Sequence, residues 1–233
     1  MLAWQEIETV LLDMDGTLID LHFDNYFWQR LVPERWGASR GLSMESARQQ
    51  LEPVFAAVAG TLNWYCLDYW REQLGLDILA LKREIADKIR WRTDVQPFLE
   101  AVRASGRRLY LFTNAHPDSL ALKLEHTALD RYLDGLYSTH AFGASKEDAS
   151  CWQALQASLP FNAERTLFVD DSPRILHAAR DFGIGHLLGI LNPDSQQPHQ
   201  SMPGLPAISD YRTLLPDLLA NPWPAGRIPQ TGS

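Results

Sequence analysis

Asp13 and Asp15 stand one residue apart in the run Asp13-Met14-Asp15-Gly16-Thr17, directly after the apolar stretch Ile7 to Leu12. Two carboxylates at the end of an apolar segment are costly unless a cation or a reaction accounts for them. In an extended chain, alternation turns Asp13 and Asp15 to the same side with Met14 opposite, and Gly16 lets the backbone turn tightly so that its amides face an anion. Such a pair suits phosphoryl transfer, one carboxylate attacking phosphorus while the other handles a proton. A calcium loop also uses two aspartates spaced this way, but it needs glycine at its sixth position and glutamate at its twelfth. Here Gly16 is the fourth residue and the twelfth is Asp24.

A second acidic cluster, Asp170-Asp171-Ser172, closes the apolar run Arg165 to Asp170. Adjacent carboxylates repel unless a divalent cation binds there or they face water. If the two runs are neighbouring strands, three or four oxygens converge on one hard-cation site, and Mg²⁺ keeping part of its water is the natural occupant. Thr113, with Asn114 behind it, ends a third apolar run, and Lys146 follows Phe142-Gly143-Ala144-Ser145. Singly, a lysine is ordinarily a surface residue and a threonine at a strand end is often a helix cap. Their order along the chain is what gives them weight.

The elements that must position these residues follow from the same pattern. Ile7 to Leu12, Arg107 to Thr113 and Arg165 to Asp170 each form a short apolar run closed by a polar residue, as central parallel strands do. Leu136 to Ser138 and His186 to Ile190 are weaker strand candidates. Helices are expected over Pro97 to Ala104, stopping at Gly106, and over Pro173 to Asp181, opened by Ser172 as N-cap and ended before Gly183. Alternating strands and helices imply an α/β fold, a doubly wound parallel sheet with a Rossmann-like core, whose chemistry sits at the carboxyl ends of the strands.

Between Ile19 and about Arg92 the strand signals vanish. Apolar residues instead recur at three and four spacing, as in Trp28, Leu31 and Val32, or Cys66, Tyr69, Trp70 and Leu74. This segment reads as a helical insertion, and its 11 of the 24 aromatic residues are enough to core a small helical unit. The expected division is a core of residues 1–18 and 93–233 and a cap of residues 19–92, with a surface loop over Asn192 to Pro206 and a flexible tail from 221 to 233.

The chain has 233 residues, 45% hydrophobic and 21% charged, the composition of a globular protein. Its net charge of −8 includes no basic run, so nucleic acid and acidic membranes are not expected partners, whereas a small phosphate ester needs only a local cluster of cations. Cys66 and Cys151 are the two cysteines, too far apart in sequence for a zinc motif and too few for a disulfide framework. Met1 to Glu6 lacks a basic segment followed by an apolar one, and no apolar run approaches the ~20 residues of a membrane span, so a cytoplasmic location is expected. Monomer and homodimer are both left open.

Asp13-Met14-Asp15-Gly16-Thr17, then Thr113, then Lys146, then Asp170-Asp171-Ser172, resembles the four-motif signature of the haloacid dehalogenase-like hydrolases, in order and across most of the chain. The resemblance implies that the insertion is that family's helical cap of the C1 type. It also implies that Asp13 is the nucleophile, forming an aspartyl-phosphate, and that Asp15 protonates the leaving group and then activates water. Mg²⁺, with Mn²⁺ or Co²⁺ as substitutes, would be held by Asp13, the Asp15 carbonyl, Asp170 and Asp171, with Asp171 the direct ligand and Asp170 acting through water. Thr113, Asn114 and Lys146 would contact the phosphoryl group. Relatives often carry proline after the lysine, where this chain has Glu147. The acid/base Asp15 separates phosphatases from the dehalogenase branch, which lacks it.

Within the family, the run Leu18 to Trp28 and the aromatic cap resemble the bacterial GMP/IMP 5′-nucleotidases. That likeness implies hydrolysis of purine nucleoside monophosphates, with His22, Tyr26, Trp28, Trp64 or Tyr65 available to meet a purine. The same chemistry on a sugar phosphate or phosphoglycolate is the nearest rival. A phosphoacceptor signalling domain also combines aspartates, a threonine and a lysine on such a sheet. There the acidic pair comes first and no helical insertion follows. A catalytically dead binding protein is disfavoured by the intact motif set.

Overall fold

The computed structural model describes residues 2–224. Six parallel strands form one sheet: β1 (Thr9–Leu12), β2 (Arg108–Thr113), β3 (Gly135–Ser138), β4 (Thr166–Asp170), β5 (His186–Ile190) and β6 (Ala207–Ile208). Their order across the sheet is β3-β2-β1-β4-β5-β6, so the chain winds outward in both directions from β1. The switch point between β1 and β4 is where a doubly wound sheet opens a crevice at its carboxyl edge.

Alternation along the strands builds two apolar layers. Val10, Leu12, Leu109, Leu111, Leu167 and Val169 face one side, where helix Val95–Ala104 lays down Phe98, Leu99 and Val102. Leu11, Phe112 and Phe168 face the other, covered by Trp152 and Leu155 of helix Ala149–Ser158 and by Ile175 and Leu176 of helix Pro173–Phe182. Both faces are therefore dry, as a parallel sheet requires.

Observed ends lie within a residue or two of those expected. Ile7 and Glu8 precede β1, and helix Val95–Ala104 starts ahead of Pro97. Ser172 caps its helix by accepting from Ile175 N–H at 3.5 Å, and Gly183 terminates it at φ +107°. The strand β6 and the helices Pro117–Thr127, Ala149–Ser158 and Leu215–Ala220 are additions to the expected set.

The segment after β1 is helical throughout: His22–Tyr26, a π-turn over Phe27–Leu31, Val32–Ala38, Met44–Ala56, Leu62–Tyr65, Leu67–Leu74 and Ile78–Glu84. At its base Ile19 pairs antiparallel with Trp91, and Asp20 N–H and Arg92 N–H donate to Arg90 O and Leu18 O. Phe23, Phe27 and Trp70 of this segment are fully buried and continuous with the apolar layer of helix Val95–Ala104. Of the expected tail, residues 221–224 are anchored: Asn221 O accepts from Arg107, and Trp223 N–H donates to Ser105 O. Residues 225–233 lie outside the described residues.

Candidate active site

Strand register brings the acidic motifs together. Leu12 pairs with Val169, and Asp13 N–H donates to Val169 O at 2.9 Å, so Asp13 and Asp170 leave the sheet side by side. Carboxylate oxygens of Asp13, Asp170 and Asp171 all lie within 4.8 Å of one another. Lys146 reaches between them, its Nζ 2.6 Å from Asp13 Oδ1 and 2.7 Å from Asp170 Oδ2, with Phe112 O at 3.2 Å. Both charges and the lysine are buried, and a buried lysine so paired stays charged. Burial would lower the Lys146 value, but Asp13 and Asp170 outweigh it and hold it high.

One lysine does not balance this cluster. Burial first, then the charge of Asp170, pushes Asp13 up to about 6 against the pull of Lys146. Asp171 is raised well above the carboxylate range by burial, then by Asp170 and Asp13. Three mutually repelling carboxylates in low dielectric have the donor type to hold a hard divalent cation, Mg²⁺ among them. Gly16 enforces the fit. At φ +79° it takes a conformation other residues avoid, and a Cβ there would stand 2.5 Å from Asp171 Oδ2.

Asp15 is not part of that cluster. Its Oδ1 accepts from Lys123 Nζ at 2.6 Å, and the same Nζ donates to Asp24 Oδ2 at 2.6 Å. Asp24 in turn accepts from Lys82 Nζ at 2.7 Å. Burial, opposed by Lys123 and reinforced by Asp24 and then Asp13, raises Asp15 to about 6. Burial would raise Asp24 as well, but Lys123 and Lys82 outweigh it and hold Asp24 below the ordinary range. A carboxyl group with a value near neutrality is suited to give and take a proton.

Thr113 and Asn114 end β2 beside this cluster, both buried. Thr113 Oγ1 accepts from Ala115 N–H at 3.0 Å, which fixes the turn into helix Pro117–Thr127. The Asn114 side chain is engaged by the protein: its Oδ1 accepts from Lys146 N–H at 2.9 Å and its Nδ2 donates to Glu147 Oε2 at 3.1 Å. Glu147, at the place where relatives often have proline, also accepts from Tyr65 OH at 2.8 Å, tying the helical segment to the lysine loop.

Beside Asp15 opens a cavity of about 340 Å³ with one aromatic wall. Trp28 and Trp64 stack at 6.1 Å, and Phe55 meets each edge-on at 5.9 Å. Tyr65 also lines it, and so do Asn25, Gln29, Lys82 and His116 among the polar residues. His22 and Tyr26 do not: His22 Nδ1 stands 3.6 Å from Asp194, and the Tyr26 ring lies under Arg30 and Lys88. Sequence reasoning passed over Lys123, Lys82 and Asp24. The signal was partial: Pro117 and Asp118 mark a helix start directly after β2, but the weakly periodic sequence does not show that the face of Ser119, Leu122 and Lys123 is the buried one, where a lysine demands an acidic partner.

A family model described as haloacid dehalogenase-like hydrolase matches residues 7–183. The chain belongs to this family. It is 54% identical over 218 residues, 94% of its length and 98% of the relative's, to the GMP/IMP nucleotidase YrfG of Escherichia coli (strain K12). Among solved structures it is similar to a HAD phosphatase from Thermococcus onnurineus, with a TM-score of 0.74 at 21% identity, covering 91% of this chain and 98% of that one. It also resembles the L-2-haloacid dehalogenase from Xanthobacter autotrophicus, at TM-score 0.56, 20% identity and 79% and 78% coverage. At those identities the two structures attest the fold. This haloacid dehalogenase-like hydrolase therefore carries its acidic motifs on the family's sheet.

Proposed function

We propose that this hydrolase is a magnesium-dependent phosphomonoesterase that releases phosphate from purine nucleoside 5′-monophosphates such as GMP and IMP through a phosphorylated Asp13. One observation carries the reading: the carboxylate of Asp13 is grouped with Asp170 and Asp171, while that of Asp15 is turned to Lys123. The two aspartates of one motif thus have separate tasks.

In this reading Asp13, Asp171 and the Asp15 carbonyl would hold the ion with Asp170 in support, and its chemistry would be to neutralise charge on the phosphoryl oxygens. Asp13 attacks phosphorus, and the bond to the ester oxygen breaks. Asp15 gives that oxygen its proton and then takes one from the water that cleaves the acyl phosphate, so two easier steps replace one difficult step. Lys146 offsets the charge of Asp13 and, with Thr113, meets the phosphoryl oxygens. Asn114 orients the backbone that carries Lys146 and any contact it makes to phosphate comes from its main chain.

Of the described residues, we assign 2–18 and 93–224 to the catalytic core and 19–92 to a cap that supplies the leaving-group site. The aromatic wall of Trp28, Phe55 and Trp64 offers a purine a π-face, and the identity to a GMP/IMP nucleotidase supports that choice over a sugar phosphate. Both cysteines are free, which suits the cytoplasm, and no described helix is long and apolar enough to cross a membrane. Phosphate release from GMP, IMP, AMP, glucose 6-phosphate and phosphoglycolate, with Mg²⁺ present, tests the reading. A kcat/KM for GMP and IMP no higher than for the two non-nucleotides would reject the nucleotidase assignment.

A further inference from the structure

Apart from the carboxylates, Cys66, His116 and His140 bring one ligand atom each, Sγ and two ring nitrogens, to within 4.8 Å of one another. They come from three separate stretches. Cys66 joins helices Leu62–Tyr65 and Leu67–Leu74 of the insertion, His116 caps helix Pro117–Thr127, and His140 lies in the turn Thr139–Ala141 after β3. All three are half-buried. The phosphoryl chemistry above uses none of them.

Nε2 of His140 is buried and has no hydrogen-bond partner among the described residues. A buried nitrogen without a partner is costly, and a metal ion is one group that could meet it. The His140 and His116 rings meet edge-on, with their centroids 4.9 Å apart. Cys66 Sγ accepts from Tyr69 N–H at 3.5 Å, and Asp68 Oδ2 stands 3.5 Å from His116 Nε2.

One sulfur and two imidazoles, with a carboxylate or water for a fourth position, select a borderline-soft dication over Mg²⁺. Bonds of about 2.0–2.3 Å around a tetrahedral zinc place its ligand atoms roughly 3.3–3.8 Å apart, a closure that small side-chain rotations supply. We propose that Cys66, His116 and His140 form a second metal site, for a zinc-like transition-metal dication, that pins the helical insertion to the core beside the substrate cavity. On binding, the Cys66 thiol gives its proton to solvent and the thiolate takes the metal. Because His116 also lines the cavity, an occupied site holds the insertion closed and slows turnover. The metal site stands on its own geometry; its inhibitory effect alone rests on the phosphatase reading.

Chelator-treated protein in excess Mg²⁺ is titrated with Co²⁺ while near-ultraviolet absorption is followed. The expected result is a thiolate-to-cobalt charge-transfer band saturating at about one equivalent and abolished by Zn²⁺. The band is lost in Cys66→Ser, is weakened at least about tenfold in apparent affinity in His140→Ala, and persists in Cys151→Ser and Asp171→Asn. Absence of the band in the unaltered protein, or its survival in Cys66→Ser, overturns the site. Circular dichroism checks that the variants fold. In parallel, Zn²⁺ lowers phosphate release in the unaltered protein and has a much smaller effect in Cys66→Ser. Equal inhibition of both proteins would overturn the inhibitory role, and a protein without phosphatase activity would still show the band.

Discussion

Lys123 Nζ lies 2.6 Å from Asp15 Oδ1 and the same distance from Asp24 Oδ2, so one buried cation joins the proposed proton donor to the first helix of the insertion. Asp24 is held in turn by Lys82, on the last helix before the chain returns to the core. The state of the insertion and the charge of Asp15 are thereby coupled through direct contacts. In Lys123→Met the half-buried carboxylates of Asp15 and Asp24 lose their common partner, a change that costs on the order of 1–3 kcal/mol. Asp15, at about 6 with the lysine present, moves higher without it, because burial and Asp24 are then unopposed. The step in which Asp15 must be a carboxylate shifts accordingly: the acidic limb of the kcat profile moves up by about one to two units, and kcat at pH 7 falls about two- to tenfold. Stopped assays from pH 5 to 9 and a thermal melt measure both. An unmoved acidic limb would show that Lys123 does not set the proton affinity of Asp15.

Asp13→Asn is nearly isosteric and removes the attacking oxygen's charge. Turnover should fall below about 1% of the unaltered enzyme, with the fold retained by circular dichroism. Asp15→Asn leaves the nucleophile but neither protonates the leaving oxygen nor activates water. With an activated ester whose leaving group needs no proton, the phosphorylated enzyme should accumulate and be visible by mass spectrometry as an acid-stable adduct on the peptide containing Asp13.

The metal cluster ties stability to pH. Asp13 sits at about 6 in the folded protein against 3.8 ordinarily, and Asp171 is raised further. A raised carboxyl contributes stability that is fully present below its unfolded value and is lost as pH rises through the folded value, here between about 4 and 6 for Asp13. Without metal, the melting temperature should therefore fall on going from pH 5 to pH 7. Mg²⁺ must displace those protons at the lower pH, so its affinity should weaken at least about tenfold from pH 7 to pH 5, as calorimetric titration at the two values would show.

Gly16 offers a purely geometric test of the same site. Gly16→Ala forces a Cβ against Asp171 Oδ2 at 2.5 Å and places alanine at φ +79°. The strain costs on the order of 1–3 kcal/mol, and because the obstacle is the carboxylate itself, the cheapest relief moves Asp171 off the cluster. Mg²⁺ affinity should drop more than tenfold while a melt in the absence of metal changes by only a few degrees.

The motifs that carry this chemistry were readable because apolar runs that end in carboxylates are rare and need a reason. Asp13 and Asp170 announced themselves in that way, and so did the strands beneath them. What pattern alone does not contain is which strands are neighbours and which helix face meets which cavity. Lys123 sits on Pro117–Thr127, a helix with too little apolar periodicity to stand out, and its partner Asp24 lies 99 residues away. Cys66 illustrates the same limit, since its spacing to Cys151 fits no metal motif and its histidine neighbours come from elsewhere in the fold. His22 and Tyr26 fail for a related reason. Their helix turns them toward Asp194 and toward Arg30 and Lys88, while Asp24 and Asn25 of the same helix, and Trp28 one turn on, face the cavity.

The aromatic wall allows binding of the leaving group to be separated from chemistry. Trp28 and Trp64 lie on different helices or turns of the insertion and stack on one another, so removal of either leaves a gap in the wall but does not touch Asp13, Asp15 or Lys146. Stacking of a base on such a surface is worth about 1–3 kcal/mol. Trp64→Ala should therefore raise KM for GMP and IMP by roughly five- to a hundredfold, with a far smaller change for p-nitrophenyl phosphate, whose leaving group is too small to reach across the wall. Both tryptophans meet the buried Trp70, but Trp28 packs also on the buried Phe27, and its loss costs more stability. Trp64 is accordingly the cleaner probe. If Trp64→Ala changes kcat/KM for GMP and for p-nitrophenyl phosphate by the same factor, the wall serves the fold of the insertion and does not read the base.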